Sequence, residues 1–153
     1  MKHTPFFLVL LLALLLSACA SANPAVAPAG GEKSGGLVVS GGDIKKTYSR
    51  ADLEALPVTQ STFKDVNYKG VLVTDLLKDA GFDPQSVKAL KAVASDGYAI
   101  NYDAAQFLGE GVIVAYAQAN GDLSADDGAF RMVLPNAEGK LNLRMLVELQ
   151  VVQ

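Results

Sequence analysis

One arginine sits where an arginine is costly. Along Phe130-Arg131-Met132-Val133-Leu134, strand alternation puts Phe130, Met132 and Leu134 on one face and Arg131 on the other with Val133. A guanidinium in such apolar company needs a partner. Either its planar fork grips an anion or a ring edge of a ligand, or it pairs with a nearby carboxylate such as Asp126 or Asp127. Tyr98 and Tyr102 share a strand face with Ile100, as core residues or with one ring stacked on a flat ligand. Tyr68 reads the same way. Asp96, followed by Gly97, reads as a hairpin residue or as an acceptor for the N–H edge of a ring.

Other chemistries are closed by what the chain lacks. Its 153 residues include one Cys (Cys19) and one His (His3), both near the N-terminus. Lys2 and the apolar run from Phe6 to Leu16 form a signal peptide, too short to span a membrane as a helix. The run ends in Leu16-Ser17-Ala18-Cys19, which resembles the lipobox of bacterial lipoproteins. That resemblance implies cleavage after residue 18, acylation of Cys19 and export to a membrane surface. Several acyl chains hold such a protein stably. The mature chain then has neither thiol nor imidazole, which removes cysteine nucleophiles, Ser-His-Asp triads and His/Cys metal sites together. The formal charge of -3 argues against a nucleic-acid partner. Asp122, Asp126 and Asp127 flank Asn120-Gly121 without the 12-residue calcium-loop pattern.

The elements that position these residues can be read in order. Residues 19–36 are rich in Ala, Pro, Gly and Ser and form a tether. The folded unit is 37–153. Strands are expected at 37–40, 44–48, 58–63, 90–95, 98–102 and 130–134. Ser49 with Asp52 resembles a capping box opening a short helix that ends by Pro57, and a helix from Thr74 is closed by Gly81. The apolar run 111–119 suits a strand buried on both faces. A helical segment from Leu141 and a last strand through Leu149, Val151 and Val152 finish the chain. This is an α+β domain built on a mixed or antiparallel sheet with short helices.

Five segments, in order, resemble the molybdopterin-binding domain of the sulfite oxidase type. They are Tyr48 with Asp52-Leu53 and Leu56-Pro57; Tyr68-Lys69-Gly70-Val71; Asp75-Leu76-Leu77-Lys78-Asp79-Ala80-Gly81; Ser95-Asp96-Gly97-Tyr98; and Gly128 to Pro135. The resemblance implies that fold and a pterin or molybdopterin-like ligand. Arg131, Asp96, Tyr98 and Tyr68 are then the candidate contacts of such a ligand, and the resemblance implies Asn142 and Arg144 near a ligand phosphate, or else on a helix surface. Family enzymes hold molybdenum through a cysteine that would fall within residues 58–63, where none exists. Gln60 and Ser61 lie nearest that place and are candidates to hydrogen-bond a ligand there. Some exported relatives lacking the cysteine bind pterins and signal to membrane proteins. The expectation is therefore a lipid-anchored, non-catalytic pterin-binding module with a membrane-protein partner and no molybdenum. The alternatives are a molybdopterin-dependent oxidoreductase with a redox partner and a structural lipoprotein.

Overall fold

Short alternating segments separated by tight turns become ten strands in the computed structural model, which describes residues 35–153. The signal peptide, Cys19 and most of the tether lie outside the described residues. β1 (Leu37–Gly41) and β2 (Ile44–Tyr48) form a hairpin, followed by α1 (Arg50–Glu54). β3 (Val58–Phe63) turns directly into β4 (Val66–Leu72), and α2 (Val73–Ala80) follows. β5 (Ala89–Ala94) and β6 (Ala99–Asp103) form another hairpin, continued by α3 (Ala104–Phe107). β7 (Ile113–Gln118), β8 (Gly121–Asp122), β9 (Arg131–Val133) and β10 (Leu146–Val152) complete the chain.

Two sheets result. Sheet I runs β2-β1-β10-β5-β6, and sheet II runs β3-β4-β7-β8 with β9 also paired to β7. β1 and β10 pair in parallel, with Val38 opposite Glu148, while the other strand pairs are antiparallel. The main core lies where Leu37, Val39, Leu90 and Leu149 of sheet I share one apolar cluster with Val71, Val114 and Met132 of sheet II. Leu53 of α1 and Leu76 and Leu77 of α2 join it. Sheet II buries a second, smaller cluster of Tyr68, Ile113, Ala115, Leu123 and Val133. Val114 and Tyr116 sit in the first cluster and Ile113 and Ala115 in the second, so β7 is covered on both faces. That is why its sequence does not alternate.

Local signals explain most boundaries. Ser49 and Asp52 form a reciprocal capping box on α1, and Asp103 and Gln106 do the same on α3. Gly81 ends α2 in the left-handed conformation. Gly70 is required by close approach: a Cβ there would stand 2.1 Å from the Val114 carbonyl oxygen, at a register shift between β4 and β7. Two expectations need correcting. The turn of helix near Leu141 covers Gly139–Leu141, so it ends there instead of beginning. Tyr98 is not a core residue. β6 begins at Ala99, so Tyr98 belongs to the turn, and its ring is 56% exposed while Ile100 and Tyr102 are buried.

Candidate functional site

A groove of about 460 Å³ opens between four parts of the chain. The tip of the β3–β4 hairpin supplies Phe63, Lys64 and Tyr68, and the β5–β6 hairpin supplies Asp96 and Tyr98. Arg131 of β9 forms part of the groove lining, and residues 139–145 form the remaining wall. Tyr102 anchors that wall from sheet I: its hydroxyl donates to the Leu141 carbonyl at 2.6 Å. Burial pushes the Tyr102 phenol well above its ordinary range, so it stays a donor.

Arg131 is only 2% exposed, and Asp127, which faces it, 3%. Nη1 donates to Asp127 Oδ1 at 2.8 Å and to the Tyr68 hydroxyl at 2.8 Å. The guanidinium also lies over the Tyr68 ring, 4.5 Å from its centroid. Of the two readings of this residue, the carboxylate partner is present, and it is Asp127. Arg144 Nε stands 3.4 Å from the same carboxylate oxygen, with its side chain 58% exposed. Two arginines therefore share one buried carboxylate, which leaves the floor of the groove with excess positive charge. Gly128 makes this arrangement reachable. Its φ is +74°, and a Cβ there would lie 2.8 Å from Met145 Cα.

The groove brings together Tyr68, Asp96, Tyr98, Arg131, Asn142 and Arg144; Gln60 and Ser61 do not border it. Asp96 serves the hairpin first, accepting the Tyr98 N–H at 2.9 Å. Asn142 is buried and serves the fold. Its Oδ1 accepts the Leu134 N–H, and its Nδ2 donates to the carbonyls of Leu134 and Glu138. Leu134 lies just past the end of β9, so the amide replaces the missing ladder partners. Asn142 is therefore neither a helix-surface residue nor a free ligand group. On β3, Gln60 is exposed, whereas Ser61 is buried with its hydroxyl unpartnered among the described residues.

Among the groove residues that escaped the sequence reading are Phe63, Lys64 and Met145. Recognising β4 as a strand would have placed Phe63 and Lys64 at a hairpin tip, because only Lys64 and Asp65 separate it from β3. Met145 left no signal. It has a left-handed backbone (φ 50°) that no residue type announces.

The donor set fits one part of a molybdopterin cofactor and not the other. Cations and aromatic rings suit an anionic, planar organic group. Molybdenum held by a protein thiolate does not fit, because the chain's single cysteine is Cys19, and no group of three His, Cys, Asp or Glu suited to a metal occurs among the described residues.

The family model described as "Oxidoreductase molybdopterin binding domain" matches residues 39–153. The fold is similar to that in the crystal structure of the sulfane dehydrogenase SoxCD from Paracoccus pantotrophus, with a TM-score of 0.65 and 18% sequence identity. That match covers 79% of this chain and 39% of the other, so the likeness spans about two fifths of the larger protein. No curated protein matches the chain.

Proposed function

Since the chain belongs to the oxidoreductase molybdopterin-binding domain family, we propose that it binds a pterin-like small molecule in the groove between the two hairpins and residues 139–145. It does so as a non-catalytic module, exported, anchored through lipid on Cys19 and coupled to a partner protein. One observation supports this reading above the others. An acidic chain gathers Lys64, Arg131, Lys140 and Arg144 into one cleft beside Phe63, Tyr68 and Tyr98. Each part of a pterin finds a complement there. The exposed Tyr98 ring offers a stacking face. Asp96 accepts one backbone N–H and retains acceptor capacity for the N–H edge of a ring. The cations suit an anionic substituent.

A second reading, a molybdopterin-dependent oxidoreductase, is favoured by the family match. When molybdenum is bound, oxo transfer is the cofactor's chemistry, and the protein supplies its ligand and orientation. No residue of the groove supplies a thiolate, so catalysis ranks second. Protein purified from its native host distinguishes the two. Release of a fluorescent pterin with well under one molybdenum atom per chain supports the binding module. Stoichiometric molybdenum by elemental analysis would promote the oxidoreductase.

A further inference from the structure

Only two residues, Lys64 and Asp65, join β3 to β4, and both have left-handed backbones, with φ of 47° and 62°. Turns of this shape take Asn, Asp or Gly, because a Cβ crowds the neighbouring carbonyl and a short polar side chain offsets that cost. Asp65 suits the turn, so the strain falls on Lys64, which borders the groove. Such strain persists where the surrounding structure holds it, and it clusters at ligand sites.

Lys64 differs from the other groove cations in its company. Arg131 and Arg144 share Asp127, and Lys140 holds Glu138 at 2.9 Å. Among the described residues no carboxylate pairs with Lys64. Its ammonium lies over the Phe63 ring, 5.5 Å from the centroid. It passes so close to Gly139 that a Cβ there would sit 3.3 Å from Nζ. The turn thus holds an un-neutralised positive charge between the aromatic wall and the far side of the groove.

We infer that Lys64 is the specificity-determining cation of the groove, selecting ligands whose flat ring bears an anionic substituent. The inference rests on the pterin reading above. The ring lies among the aromatic residues, and the substituent takes the ammonium that now faces Phe63. Lys64 is free to do this because it gives up no ion pair.

Fluorescence titration of the purified protein at neutral pH with pterin and with pterin-6-carboxylate tests this. The parent should favour the carboxylate by about three- to fivefold, as suits an exposed charge pair. Lys64→Ala should bring the two affinities within about twofold, chiefly by weakening the carboxylate, and Lys64→Arg should keep the preference. Lys88→Ala, a lysine away from the groove, should change nothing. A Lys64→Ala protein that retains the preference overturns the inference and leaves the pterin site standing. So does a parent that binds both probes equally. A Lys64→Ala protein that melts normally but loses plain pterin also overturns it, since Lys64 would then serve the ring. If the parent binds neither probe, the pterin reading falls and this inference with it.

Discussion

Arg131 reaches back four residues to Asp127 across the Gly128 turn, and the ion pair they form is buried at both ends. Removing one partner of such a pair leaves a charge stranded in the interior. Arg131→Ala should therefore destabilise the fold by about 3–5 kcal/mol, and Asp127→Ala by a similar amount. Replacing both with apolar groups of similar volume, Arg131→Met with Asp127→Leu, should cost much less than either alone. Chemical denaturation of the four proteins measures this directly. Additive losses would mean that the two residues act independently.

Two buried hydroxyls, Ser61 Oγ and Tyr116 Oη, have no hydrogen-bond partner among the described residues. A hydroxyl desolvated without compensation opposes folding, so Ser61→Ala and Tyr116→Phe should each stabilise by about 1 kcal/mol. Ser61→Ala carries a second readout. Ser61 does not border the groove, so pterin affinity should not change. A Ser61→Ala protein that is more stable yet binds pterin much more weakly would return that residue to the site.

Acid should weaken the fastening at Asp79. Asp79 accepts from the Lys46 ammonium at 2.6 Å and from the Tyr48 hydroxyl at 2.7 Å, and these bonds hold its carboxyl below the ordinary carboxylate range. A pKa depressed in the folded state means that the unfolded chain takes up the proton first. The stabilisation is thus complete above the unfolded value of about 4, and is lost as pH falls through the folded one. Asp79→Asn should lower the melting temperature at neutral pH and flatten its decline below about pH 4. A parallel decline in both proteins would rule Asp79 out as the titrating group.

The anchor is tested by fractionation. Cys19→Ser should move the protein from the membrane fraction to the soluble one. Retention on the membrane after a high-salt wash would sink the lipoprotein reading.

Much of the fold was legible because burial left a period in the sequence. The faces of β9 follow from alternation alone: Phe130, Met132 and Leu134 enter the main core and Val133 the second cluster. The unbroken run of β7 announced its two covered faces. β4 was missed because Asn67, Lys69 and Gly70 look like a turn, whereas Gly70 is there to let β7 approach. At the site, residue type was a fair guide to place and a poor guide to role. Arg131, Arg144 and Asp96 do meet in one groove. That Arg131 is held by Asp127, and that Asn142 closes the chain after β9, depends on contacts between loops for which the sequence has no period.

The parallel pairing of β1 with β10 has a consequence in time. β10 stands between β1 and β5 in the middle of sheet I, although it is made long after either. Without residues 146–152, the only ladders left in sheet I are those of two hairpins, β1–β2 and β5–β6. Pairings this distant along the chain form slowly, since the loop between them must be closed before any contact rewards it. Closure of sheet I therefore waits for residues 146–152, the strand that joins its two hairpins.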